Sequence, residues 1–180
     1  MNKNIYCILD TCVLSDFIDN KILKNDIDDS KEFRLELLDN INNSSAVINF
    51  ILPTIVIHEL ALGIYRKSKN TDLSEISNIL KYYLQSYFNN KLKIIPLNHN
   101  SAYHYCNIYY DNLSNNENRS KNKIDSLIVA QASYYAFYNR YSEVWLLTED
   151  TYLKNYRVDN IKIYSLREAS KHLGLNTLFS

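Results

Sequence analysis

Four acidic side chains stand where apolar runs give way to helical spacing: Asp10, Glu59, Asp125 and Asp150. Asp10 ends the run IYCIL, and Asp150 follows VWLLTE. Asp125 opens an amphipathic stretch, and Glu59 lies about one turn beyond Pro53-Thr54. Carboxylates brought to one place repel, so some would hold a proton unless a cation sat among them. An all-oxygen donor set favours Mg2+ or Mn2+ over zinc. Such ions activate water and stabilise charge on a phosphoryl centre, and two of them about 4 Å apart support in-line displacement. The chemistry open to these residues is metal-dependent hydrolysis of a phosphate ester.

Each residue also has a plainer use. Asp10, Asp125 and Asp150 all suit helix starts, where a carboxylate complements the dipole. Glu59 sits among Ile55, Val56, Ile57, Leu60 and Leu62, and its plain use is on the polar side of a helix. Thr11 and Thr148 either orient the acids by hydrogen bonding or cap helices. Asp16 is expected on a solvated face, and Glu149 is expected to point outward. His58, His99, His104 and His172 share no ligand spacing and are expected as surface or core residues. Arg119, Lys121 and Lys123 directly precede Asp125 and serve either as phosphate contacts or as a solvated loop.

For acids so scattered to meet, the chain must build a scaffold that returns repeatedly to one edge. Short apolar runs without alternation at 5–9, 47–52, 93–97, 143–147 and 161–164 predict strands buried on both faces. Helical spacing fills the intervals at 12–19, 30–42, from Thr54 onward, 72–88, 98–113 and 124–138. A short helix near 150–155 and a last one at 165–173 complete the pattern. Thr11 and Ser30 are plausible N-caps. The alternation predicts an α/β fold: one open parallel sheet of about five strands with helices on both faces. The whole, residues 1–180, reads as a single domain with its core over about 4–173. Open parallel sheets bind ligands outside the carboxyl ends of their strands, which is where the acids fall.

Composition removes several alternatives. Gly63 and Gly174 are the only glycines, so phosphate-cradling motifs built on several glycines are excluded. Lys and Arg number 20 against 20 Asp and Glu, which excludes a global basic field but not a local basic strip. Cys7, Cys12 and Cys106 form no C-x-x-C pair, so a structural zinc site is not expected. The N-terminus turns polar too early for a secretory signal, and the most apolar stretch carries Asn49, Pro53, His58 and Glu59. A cytoplasmic protein with no membrane span is therefore expected.

The four acids lie in ILDTCVLSDFI, FILPTIVIHELALGI, KIDSLIVAQAS and VWLLTEDTYL, in that order. In this sequence of blocks the chain resembles PIN-domain ribonucleases, and among them the small VapC-type toxins of toxin–antitoxin pairs. The match of Asp10-Thr11, Glu59, Asp125 and Thr148-x-Asp150 to that family's blocks spans about residues 4–173. The resemblance implies a PIN-like domain and a metal-dependent endoribonuclease that leaves 5′-phosphate and 3′-hydroxyl ends. It further implies an RNA substrate, a cognate antitoxin that inserts a peptide into the acidic groove, and a homodimer. Cys12 departs from the family's Asn after Asp-Thr, so the rim lacks an amide and the thiol is expected to pack or to leave that bond unmade. A second reading draws on that departure: a PIN-like module that binds RNA or protein without cutting. A third, an aspartyl-nucleophile phosphatase, needs an Asp where Cys12 stands.

Overall fold

The computed structural model describes residues 4–23, 25–68, 73–89, 91–101, 104–105, 108, 123–140, 142–156 and 158–175. The chain opens with β1 (Ile5–Leu9) and turns at once into α1 (Thr11–Phe17), which ends in a π-helical turn, Ile18–Ile22. Then come α2 (Asp29–Asn42), β2 (Ile48–Pro53), α3 (Thr54–Ser68), α4 (Leu73–Tyr87) and β3 (Leu92–Ile95). The second half contributes α5 (Lys123–Tyr138), β4 (Glu143–Leu147), a 3-10 turn (Leu153–Asn155), β5 (Lys162–Tyr164) and α6 (Leu166–His172). Of the helix expected over 98–113, residues 98–101, 104–105 and 108 are described, and all but Asn98 are helical.

The five strands form one parallel sheet in the order β3-β2-β1-β4-β5. β1 is central, and its Cys7, Ile8 and Leu9 are wholly buried. A strand hydrogen-bonded on both edges and covered on both faces must be apolar throughout, which explains the missing alternation. Phe50, Trp145 and Phe88 are the largest fully buried side chains. Each such side chain contributes about 1.5–3 kcal/mol by leaving water.

The strand order sets the position of the site. From β1 the chain steps outward to β2 and β3, then crosses back to start again at β4 on the other side of β1. The crevice at such a reversal is where open sheets bind ligands. Leu9 pairs with Leu147 across it, so the residues that follow, Asp10 and Thr148, leave the sheet side by side. On the other flank β2 ends at Pro53 and α3 begins at Thr54 with no residue between, which carries Glu59 toward the same edge.

Two capping expectations are corrected. Asp10, with extended backbone, is the N-cap of α1, and Thr11 is its first helical residue. Asp28 caps α2 by accepting from the Lys31 amide at 3.0 Å, while Ser30 lies inside the first turn and donates to Asp28. In both cases a carboxylate, which accepts more strongly than a hydroxyl, takes the cap. Among the described residues no helix is long and apolar enough to cross a membrane.

Candidate active site at the carboxyl edge of the sheet

Asp10 is the most enclosed of the acids, 5% exposed. Its Oδ1 accepts from the Thr11 amide at 2.7 Å, and its Oδ2 accepts from Thr148 Oγ1 at 2.7 Å. A third donor is the Cys12 thiol, whose Sγ lies 2.9 Å from Oδ2. Burial raises the Asp10 carboxyl above its ordinary range, against the opposing pull of these three donors.

Cys12 does more than fill space. Besides donating to Asp10, its sulfur accepts from the Glu149 amide at 3.1 Å and lies 3.4 Å from Thr148 Oγ1. Burial first, and then the Asp10 charge, push this thiol up to about 12, so it remains a protonated donor. The hydrogen bond expected to be lost with the missing amide is made by the thiol instead.

Thr11 reaches the other way. Its Oγ1 donates to Glu59 Oε2 at 2.5 Å, tying α3 to the start of α1. Asp150 donates its amide to Thr148 Oγ1 at 3.0 Å, and its own Oδ1 accepts from the Tyr152 amide at 2.7 Å. Thr11 and Thr148 therefore link three of the four acids in one chain of hydrogen bonds: Glu59, Thr11, Asp10, Thr148, Asp150. Each threonine uses its hydroxyl on an acid rather than as a helix cap.

Asp125, the third residue of α5, joins them through space. Its carboxyl is raised to about 6, first by burial and then by the charges of Asp10, Asp150 and Glu59. Like charges raise one another's pKa only at short range, so this shift marks four carboxylates gathered on one rim.

The donor set fits a hard divalent ion in its chemistry: all oxygen and strongly anionic, with the Asp125 carboxyl raised to about 6 by burial and its acidic neighbours. Among the described residues no three carboxyl, imidazole or thiol groups close into a ready coordination shell. Both oxygens of Asp10 and one of Glu59 accept hydrogen bonds from Thr11, Cys12 and Thr148. A donor set of this kind suits an ion that keeps several of its waters.

Residues 7–158 match the model of the PIN domain. The chain belongs to the PIN-domain family. Among solved structures this PIN domain is similar to VapBC2 from Rickettsia felis bound to a DNA fragment from its promoter. The two are 22% identical over 89% of this chain and 98% of that one, with a TM-score of 0.54. It is also similar to FitAB bound to the IR36 DNA fragment, at 17% identity over 89% and 94% of the chains and a TM-score of 0.57. FitAcB from Neisseria gonorrhoeae matches at 18% identity over 89% and 98%, with a TM-score of 0.54. At these identities the likeness is one of fold. No curated protein matches the chain in sequence.

Two neighbours of the PIN-domain rim depart from expectation. Asp16 is buried rather than solvated, 4% exposed, and accepts from Arg34 Nε at 2.7 Å, joining α1 to α2. Glu149 turns toward α6, where its Oε1 accepts from the Leu166 amide at 2.8 Å. Both sequence signals were local and polar, whereas the partners come from distant elements. His58, His99 and His172 are exposed, and His104 stacks edge-on against Tyr134. Arg119 and Lys121 lie outside the described residues, and Lys123 is described only as the first residue of α5.

Proposed function

We propose that this PIN domain is a divalent-metal-dependent endoribonuclease that hydrolyses RNA phosphodiesters, and that it acts as the toxin of a toxin–antitoxin pair. The observation that carries the reading is the hydrogen-bonded chain that brings Glu59, Asp10 and Asp150 together through Thr11 and Thr148, with Asp125 close enough to feel their charges. PIN domains are typically nucleases and generally use divalent ions, which supports the same reading.

Asp10, Glu59, Asp125 and Asp150 would hold Mg2+ or Mn2+. The ion, when bound, supplies Lewis acidity toward the scissile phosphate and activates water. Thr148 and Cys12 keep Asp10 Oδ2 oriented by donating to it, and Thr11 does the same for Glu59. Orientation of this kind matters because outer hydrogen bonds fix ligand geometry and basicity. With its carboxyl raised to about 6, Asp125 would have to shed a proton to ligate an ion below that pH, which would couple binding to pH. Arg119 and Lys121, which precede α5 in the sequence, and Lys123, its first residue, are assigned to phosphate contacts that offset repulsion between RNA and the rim. The likeness to VapBC2 and FitAB supports an antitoxin partner; that this partner occupies the acidic groove, and that the chain forms a homodimer, are part of the same proposal.

The test is cleavage of a total RNA pool by the wild-type protein, Asp10→Asn and Asp125→Asn, with and without Mn2+. The expected result is cutting that needs the ion, leaves 5′-phosphate ends, and falls by at least about a hundredfold in both variants. Equal cutting by all three proteins would refute the assignment. Mn2+ binding without cutting would favour the module that binds RNA or protein.

A further inference from the structure

Just beyond Asp150 the chain presents an aromatic ring to water. Tyr152 is 61% exposed, yet its main chain is held on both sides. Its amide donates to Asp150 Oδ1 at 2.7 Å, and its carbonyl accepts from the Asn155 amide at 3.0 Å. Leu153, the next residue, is fully buried and anchors the 3-10 turn to the core. An exposed ring on a backbone so fixed forgoes the burial by which aromatic side chains usually stabilise a fold. Tyr82 and Tyr138 are comparably exposed, but they lie on α4 and at the far end of α5 and rest against other rings, Tyr82 on Tyr83 and Tyr138 on Tyr134 and Phe137. Tyr152 has no ring contact among the described residues.

We propose that Tyr152 is a specificity-determining residue whose ring stacks on an unpaired RNA base next to the scissile phosphate. The proposal rests on the assignment of the rim to RNA cleavage. Two residues of chain span at most about 7 Å, which bounds the separation of the Asp150 and Tyr152 Cα atoms. A phosphodiester seated at the rim therefore brings a flanking base within reach of the ring. Proteins read single-stranded RNA largely by stacking its splayed bases on aromatic side chains. Stacking needs no positive charge, so it holds RNA beside carboxylates that repel its phosphates. Because the Asp150 carboxylate fixes the Tyr152 amide, ring and rim keep one geometry, and a base seated on the ring sets the register of the phosphate. A base stacked within its own duplex has no free face to offer, so the ring selects unpaired nucleotides.

The experiment is steady-state cleavage, with Mn2+, of a synthetic RNA spanning the strongest cut mapped in the total RNA pool. A companion series replaces the bases flanking that cut, one at a time, by an abasic ribose. The proteins are full-length wild type, Tyr152→Phe, Tyr152→Ala and Asp10→Asn, each also titrated with Mn2+ by calorimetry. Both Tyr152 variants keep the amide that Asp150 holds, so they test the ring alone. The expected result for Tyr152→Ala is kcat/KM lower by about tenfold or more, carried by KM, with Mn2+ affinity unchanged. One abasic position should slow wild type and Tyr152→Phe by a similar factor and leave Tyr152→Ala no slower than on the intact RNA. Wild-type kcat/KM in Tyr152→Ala, an abasic penalty that persists in it, or no abasic penalty in wild type would overturn the stacking role. So would a loss in Tyr152→Ala matched by weaker Mn2+ binding, which would trace it to Asp150 instead. Absence of ion-dependent cutting by wild type, or undiminished cutting by Asp10→Asn, would sink the rim assignment and the role of Tyr152 with it.

Discussion

Cys12 Sγ lies 2.9 Å from Asp10 Oδ2, on the same oxygen that Thr148 holds at 2.7 Å. One carboxylate oxygen therefore carries two donors from two different strand ends. The thiol also receives the Glu149 amide, so a single sulfur bridges the start of α1 to the end of β4. Cys12→Ser retains a donor and an acceptor and is expected to keep cleavage within about threefold of wild type. Cys12→Ala leaves the Glu149 amide without its partner and is expected to cost about 1 kcal/mol, read by urea unfolding. Its cleavage rate should fall more than that of the serine variant; the reverse order would remove Cys12 from the support of Asp10.

The contribution of Asp125 to stability without metal should decline as the solution becomes less acidic. The Asp125 carboxyl has a usual value of 3.8 and is raised in the fold to about 6. Between those values the unfolded chain has released this proton while the folded chain retains it, so stability falls as pH rises through the window and levels off above it. Asp10, also raised, acts in the same direction. Asp125→Asn removes the Asp125 share. It should be more stable than wild type near pH 7.5 in chelator, with the gap closing near pH 4. Adding Mn2+ should reverse that order, because only the wild type gains from binding. Urea titrations across pH decide the matter, and parallel curves for the two proteins would refute the charge clustering.

The Asp16–Arg34 pair should matter to the fold more than to the chemistry. Asp16 is almost fully enclosed, while the Arg34 side chain is 31% exposed. Removing one partner of a fully buried pair costs about 3–5 kcal/mol, and the solvent reaching Arg34 reduces this. Arg34→Met is expected to lose about 2 kcal/mol in chemical denaturation. Its cleavage rate per folded molecule should match wild type; a rate loss without a stability loss would assign Arg34 to substrate instead.

The strands were legible because burial on both faces leaves an unbroken apolar run, and 143–147 is bounded in the structure as its composition indicates. β3 stops at Ile95, before the 93–97 run ends, because Pro96 has no amide to continue a ladder. The order of the acids was legible for a related reason: a parallel sheet brings every strand's end to one edge. What the sequence concealed were pairings between distant polar residues. Asp16 reads as a surface acid until Arg34 of α2 folds over it, and Glu149 reads as exposed until α6 presents the Leu166 amide. Cys12 reads as packing because a thiol's hydrogen bonds depend wholly on which oxygen and amide happen to lie beside it. Nothing local distinguishes these cases, since the partner is fixed only by the crossing of elements.

The reversal in strand order has a consequence for biosynthesis. Asp10 and Thr148 are 138 residues apart in the chain and adjacent in the sheet. A ribosome that has emitted β1, β2 and β3 has released Asp10 and Glu59 but neither Asp125 nor Asp150. Nascent and prematurely terminated products therefore lack half of the acidic rim, and the rim is assembled only once β4 inserts beside the first strand made.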